Sequence, residues 1–447
     1  MTLRKKLFWI SILYFAEGLP FGIVYDVLPV YFRQNGVSLK DIGFMFFLTL
    51  PWTIKIFWSP LVDRFGERRT WVTLCCSAMA CVMLAVPLFQ ASQPTLLLWV
   101  LLLVFTVASA TQDIAIDAYA IGLLSKGEEG VANGYRLALY RVAVLLGGGG
   151  TMYLVRPFGW EWIFILVALA FVALAVVSWA SPPVRVVHEP PREWARHFWA
   201  FLSRPGSIAV FLFILTYRTG ELIMMPMVKP FWVDRGMTPE EIGTISTIAG
   251  TILGILGTIV GGLYTTRFGL FNGLWVLGLT QAVPNLAYAA VAEFSLGRPY
   301  LYGASMFESF AFGLGTGAFF AFLMRICDKR QAATQYALLT SVVGLNRFFG
   351  GWSGKAVEHI GYAGFFTLTF FMSLPCYLLL PWVRRWIANG TSQNAGAEAD
   401  VTRHASSGGD LGAAAATGEL PDPATTPAGQ GGVPTPGDRA PASVPAR

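Results

Sequence analysis

Apolar positions in this chain gather in long runs separated by short polar stretches. A helix needs about 20 largely apolar residues to cross the hydrocarbon core of a bilayer. Twelve runs of that kind are read, at roughly 8–31, 41–61, 70–90, 95–123, 134–156, 160–180, 207–233, 241–264, 270–292, 299–325, 335–357 and 362–383. The first follows Lys5-Lys6 without a small-residue cleavage site and continues into Pro20 and Gly22, so it is expected to remain as a helix and not to be removed as a signal peptide.

Composition agrees with that pattern. Of 447 residues, 55% are hydrophobic and 13% charged, and the mean hydropathy is +0.56. A water-soluble domain of this size could not cover its surface with so few charges, so an all-α polytopic membrane protein is expected. The five cysteines (75, 76, 81, 327 and 376) lack metal spacing and read as apolar filler, so neither a metal nor a cofactor is expected. The four histidines (188, 197, 359 and 404) fall in loops, at a helix end or in the tail, which removes histidine from any proton relay at mid-membrane depth. A membrane enzyme would need such a histidine or a metal cluster at depth, so the chain is not expected to be an enzyme. A monomer is expected.

The net charge of +6 does not point to nucleic acid, because the basic residues sort by loop. With the N-terminus inside, one side collects Arg4, Lys5, Lys6, Arg64, Arg68, Arg69, Lys126, Arg185, Arg192, Arg196, Arg204, Arg267, Arg325, Lys329, Arg330, Arg384 and Arg385. The other side has Arg33, Lys40, Arg156, Lys229, Arg235 and Arg298. This asymmetry places both termini in the cytoplasm by the positive-inside rule.

The longest stretch between spans, 181–206, is rich in proline and arginine and divides the spans six and six. The chain repeats itself across that divide. YFRQNGVSLKDIG (31–43) aligns without a gap on FWVDRGMTPEEIG (231–243); DRFG (63–66) recurs as TRFG (266–269), and FGWEWIF (158–164) as IGYAGFF (360–366). Two six-helix halves related by a parallel repeat describe the major facilitator architecture, with a solute site between the halves near the midplane. The expected organisation is a first half at 1–180, a cytoplasmic linker at 181–206, a second half at 207–385 and a disordered cytoplasmic tail at 386–447, whose composition cannot bury enough apolar surface to offset its ordering entropy.

An ionisable residue near the bilayer centre costs roughly 2.5–3.5 kcal/mol on insertion scales and usually faces a cavity. By helical rise, Glu17 lies about 16 Å from Lys6, Asp113 about 20 Å from Lys126, and Glu308 about 15 Å from Arg298. Arg218 and Glu221 lie about 21–26 Å from Arg204. These residues sit on the first, fourth, tenth and seventh spans, which line the cavity in this architecture. Asp117 shares a face with Asp113 one turn away, and Asp26 lies nearer the outer end. Cations occupy the flanking spans: Lys55 on the second, Arg136 and Arg141 on the fifth, Arg347 on the eleventh. The arginine fork suits carboxylate or phosphate groups, so Lys55, Arg136, Arg141, Arg218 and Arg347 are candidates for holding an anionic small-molecule substrate. A carboxyl in apolar surroundings beside another carboxylate holds its proton more tightly. Asp113 is therefore the first proton-coupling candidate, with Glu221, Glu17, Asp117 and Glu308 as further ones. The glycines at 147–150, 313, 315 and 317 are expected to permit close helix packing.

DRFGERR (63–69) resembles the major facilitator loop in which Gly-x-x-x-Asp-Arg-x-Gly precedes basic residues, with Ser59 in place of the first glycine. The resemblance implies a conformational latch formed by Asp63, Arg64, Arg68 and Arg69. IGFMFFLTLPWTIKIFWSPLVDR, TQDIAIDAY with GYRLALYR, LTYRTGELIMMPM, and FESFAFGLGTGAFFAFLMRICDKRQAATQYALL are together similar to the AmpG-type muropeptide permease branch, over most of 12–370. That branch's Lys-x-Gly-Asp pattern on the seventh span reads Arg218-Thr219-Gly220-Glu221 here. The resemblance implies an inner-membrane, proton-driven importer of anhydro-muropeptides in cell-wall recycling. Siderophore importers and acetyl-CoA transporters belong to the same branch and stand as alternative substrate classes.

Overall fold

The run that begins at Leu3 stays helical to Gln34, with one π-helical turn at Ile23–Val27. Lipid demands such continuity, because backbone polar groups inside a bilayer must be satisfied within their own segment. The computed structural model describes residues 1–124, 128–184, 203, 205–326, 339 and 342–387. Among the described residues every regular element is helical, and nine helices are long and apolar enough to cross a membrane. The first, third and fourth expected spans are Leu3–Gln34, Arg68–Leu88 and Leu96–Leu123; the seventh to tenth are Ser207–Asp234, Pro239–Phe268, Leu270–Glu293 and Arg298–Ile326.

Elsewhere the helices depart from one run, one span. The fifth and sixth spans run together as Gly134–Trp179, 46 residues long. At 1.5 Å per residue that is about 69 Å, more than twice a bilayer core. Gly159 accounts for the excess length: its φ of 77° and ψ of 166° turn the chain in a region essentially closed to other residues. Ser353–Ile387 bends in the same way at Gly361, with φ 69° and ψ 171°. The second span is a chain of short pieces, Leu39–Met45, Leu50–Ile54 and Ser59–Arg64, joined by 3-10 turns at Phe46–Thr49 and Lys55–Phe57. Pro51 and Pro60 withhold backbone donors there, and the second turn carries Lys55. Residues 327–338, 340 and 341, which include Cys327 and the start of the expected eleventh span, lie outside the described residues, as do the linker interior 185–202 and the tail beyond 387.

The aligned repeat segments share backbone geometry. Left-handed glycines recur in pairs at Gly36 and Gly236 (φ 81° and 73°), Gly66 and Gly269 (71° and 88°), and Gly159 and Gly361 (77° and 69°).

The two parts of the chain on either side of the linker meet at the end where the first and seventh helices finish. Arg33 grips the Asp234 carboxylate with Nε at 2.5 Å and Nη2 at 2.7 Å, and Tyr362 Oη donates to the same carboxylate at 2.7 Å. Arg156 meets Glu240 at 3.0 Å, and the Lys40 amide donates to Glu358 at 2.9 Å. One apolar cluster runs across this junction, from Ile10 and Phe105 to Phe231, Tyr288 and Phe366. A separate cluster around Phe213, Phe319, Phe322 and Leu380 contains only residues after 205 and lies toward the other end of their helices. The halves are thus packed together at the expected outer end, with separate cores toward the expected inner end.

Candidate functional site

The first and fifth helices approach closely enough to set the first-half charges side by side. A Cβ on Gly18 would meet the Ala143 side chain at 2.9 Å, and one on Gly22 would lie 2.8 Å from the Gly147 carbonyl carbon. The glycine run on the fifth helix is used on several faces: Gly147 against Leu19, Gly148 against the Asp26 side chain, Gly149 against Gly243 and Ile248.

Around this crossing, Lys55 forms an ion pair with Asp113. One turn along, Asp117 Oδ1 accepts from Tyr14 Oη at 2.8 Å and meets Arg136 Nη2 at 3.0 Å. The Arg136 guanidinium also lies 4.6 Å from the Tyr14 ring centroid. Glu17 is buried, with its carboxyl within hydrogen-bonding reach of Asp113 and its Oε2 lacking a hydrogen-bond partner among the described residues. Two carboxyl groups therefore stand beside one lysine at mid-helix depth. Their neighbours remain open: the Lys55, Arg136 and Asp117 side chains are 29%, 39% and 35% exposed.

The second-half group forms where the seventh helix breaks. Ser207–Thr216 ends, Arg218 takes φ −111° and ψ 10°, and Thr219–Asp234 begins. Glu221 falls in the first turn of that new helix, where free amides favour a carboxylate. Arg218 Nε approaches Glu221 Oε2 at 3.5 Å, Gln281 donates to the same oxygen, and Phe312 lies under the guanidinium with its centroid at 4.5 Å. Glu221 Oε1 and Arg218 Nε are buried without a hydrogen-bond partner among the described residues. Glu308 stands on the tenth helix near enough to Glu221 and Lys229 for their charges to act on it.

The remaining candidates distribute differently. Arg141 is exposed. It lies five residues beyond Arg136 on the fifth helix and eight before Gly149, a rise of about 12 Å. Of the loop residues, Arg68 donates to the Val62 carbonyl, and Arg69 meets Glu67 at 2.6 Å and the Ser181 carbonyl at 3.4 Å. The Asp63, Arg64 and Arg347 side chains lie outside the described residues. Sequence reasoning did not single out Tyr14 or Gln281, and it counted Lys229 among the outer loop charges. Lys229 is instead a buried helical residue, 8% exposed, paired with Asp26 at 3.1 Å. Its place five residues inside the helix end at Asp234 was the available signal.

The Major Facilitator Superfamily model matches residues 10–351. The anhydromuropeptide permease of Escherichia coli (strain K12) is 29% identical over 387 residues, 83% of this chain and 78% of that protein. The AmpG 4 protein of Rickettsia conorii is 28% identical over 395 residues, 84% of this chain and 95% of its own length. Among solved structures, a bacterial homolog of the human lysosomal transporter Spinster, in an inward-facing and unoccupied conformation, superposes with a TM-score of 0.65 at 15% identity, covering 87% of this chain and 97% of that one. Helical architecture, family match and relatives coincide: the chain belongs to the major facilitator superfamily, and its relatives include AmpG-type permeases.

Proposed function

We propose that this protein is a proton-coupled importer of anhydro-muropeptides in the inner membrane, working by alternating access between its two halves with both termini in the cytoplasm. The similarity to the E. coli permease supports the substrate class. The observation that carries the mechanism is the Glu17–Asp113–Lys55 group, two acids sharing one cation inside an apolar helix bundle. A proton taken up there changes the net charge of the group by one, in a place where an uncompensated charge is expensive. Proton occupancy and conformational change are then linked, because only a group with different free energies in the two states can shift their balance.

On this reading Lys55 holds Asp113 while the Glu17–Asp113 pair carries the proton. Arg136 and Arg141 on one side, with Arg218 on the other, offer guanidinium groups to the carboxylates of the solute. The break at Arg218 frees backbone amides at the head of Thr219–Asp234, which also favour an anion. Uptake of labelled anhydro-muropeptide into right-side-out vesicles, with and without a proton gradient, tests the proposal. Gradient-dependent accumulation is the expected result; its absence in vesicles that contain folded protein would refute it.

A further inference from the structure

Lys229 occupies a fully built site at the seam. Its Nζ lies 3.1 Å from Asp26 Oδ1 and donates to Ser246 Oγ and Thr247 Oγ1 at 2.9 Å each. Asp26 comes from the π-helical turn of the first helix, and the two hydroxyls from the π-helical stretch Ile242–Ala249 of the eighth. Gly148 makes room for the carboxylate, since a Cβ there would overlap the Asp26 side chain. The pair joins the two halves and is more buried than its neighbour at the surface. The Lys229 and Asp26 side chains are 10% and 14% exposed, against 22% and 26% for Arg33 and Asp234.

That difference decides what happens when the halves part. Water can take over from Arg33–Asp234 as the outer end opens. A buried lysine cannot lose its carboxylate partner at comparable cost, because the Coulomb term that offset its desolvation disappears. Asp26 leaves with the first half, whereas Lys229 stays with the second. Glu308 lies on the tenth helix of the same half beside Ser309, whose side chain packs against Gly250, four residues beyond Ser246. It therefore moves with Lys229, and its charge interacts with that of Lys229. Glu221, the other acid of that group, is already engaged by Arg218 and Gln281.

We infer that Lys229 is a partner-switching cation, bound to Asp26 while the outer end is closed and to Glu308 when it is open. Asp26 and Glu308 then compete for one charge, and their balance sets the ratio of the two states. The inference needs alternating access but not any particular substrate. Its test is therefore run without solute, so that failure here and failure of the uptake experiment remain distinct.

Spin labels at the exposed positions Gln93 and Phe294, on a background with the native cysteines replaced, report the outer-end separation by pulsed dipolar spectroscopy. Asp26→Asn is expected to shift the distribution toward long distances, and Glu308→Gln toward short ones, each by about tenfold or more in population ratio. Lys229→Met removes both pairings and should return the ratio toward that of the parent. Opposite shifts are the signature, since a loss of general stability would move both variants alike. An unchanged distribution in Glu308→Gln, or shifts of the same sign in the two single variants, overturns the inference.

Discussion

Gly43 lies against Gly354 so closely that a Cβ on Gly43 would come within 2.6 Å of the Gly354 nitrogen. The repeat-related crossing has the same character: a Cβ on Gly243 would lie 2.8 Å from the Gly149 carbonyl oxygen and 2.9 Å from Met152 Cβ. Both contacts cross the seam between the halves. Closure of the outer end therefore depends on two backbone-to-backbone approaches that tolerate no added atoms.

Gly43→Val should consequently resist closure while leaving each half folded. Overpacking typically costs about 1–3 kcal/mol, and here the cost falls on the closed state alone. The closed-to-open ratio should drop roughly 5- to 150-fold, read from the separation of outer-end labels. Gly243→Val should shift it in the same direction. Loss of the protein from the membrane in both variants, with no conformational shift in what remains, would place these glycines in folding and not in closure.

Gly159 and Gly361 call for a different test, because no atom lies within 4 Å of a Cβ at either position. Any cost of Gly159→Ala or Gly361→Ala then comes from backbone conformation, about 1–3 kcal/mol each. The melting temperature in detergent should fall by several degrees. Gly262 supplies the control: it is helical with equally open space around it, so alanine there should leave stability unchanged or raise it.

How far such features could be read beforehand depended on their origin. Depth was legible, since helical rise alone placed Glu17, Asp113, Arg218 and Glu221 inside the bundle. The repeat was legible too, because positive-φ positions demand glycine and so preserve a sequence trace at Gly36 and Gly236. Pairing was less so. Lys55 and Asp113 are 58 residues apart, and only the crossing of two helices brings them together. Lys229 was misplaced because a charge near the end of an apolar run looks the same whether it reaches the surface or turns into the seam. The fracture of the second span at Lys55–Phe57 is flanked in the sequence by Pro51 and Pro60, whereas the break of the seventh at Arg218 has no proline beside it, and Pro226 and Pro230 sit inside the helix that follows.

Arg141 and Arg136 offer a contrast within one helix. Arg136 is engaged with Asp117 and Tyr14, whereas Arg141 is exposed. Arg141→Ala should weaken substrate affinity in purified protein by about 10- to 150-fold, the equivalent of one hydrogen bond to a charged group, with little change in melting temperature. Arg136→Ala should lower stability as well, by leaving Asp117 without its cation. Unchanged affinity in Arg141→Ala would remove this residue from the binding site.

The coupling role of Asp113 can be separated from its structural role, because its partner is known. Asp113→Asn should abolish accumulation driven by a proton gradient yet leave counterflow exchange, which needs substrate binding but no net proton movement. The same outcome is expected of Glu17→Gln, which leaves the Lys55 pair in place. Asp113→Asn also takes from Lys55 the carboxylate it pairs with, leaving Glu17 as the acid beside it, so a loss of stability is expected as well. Combining Lys55→Met with Asp113→Asn removes both charges and should restore the protein level in the membrane. Accumulation should stay absent in that double variant, since Glu17 no longer has the Asp113 carboxyl with which it shares the proton. If Asp113→Asn or the double variant still concentrates substrate against a gradient, the proton travels elsewhere, and Glu221 becomes the residue to test.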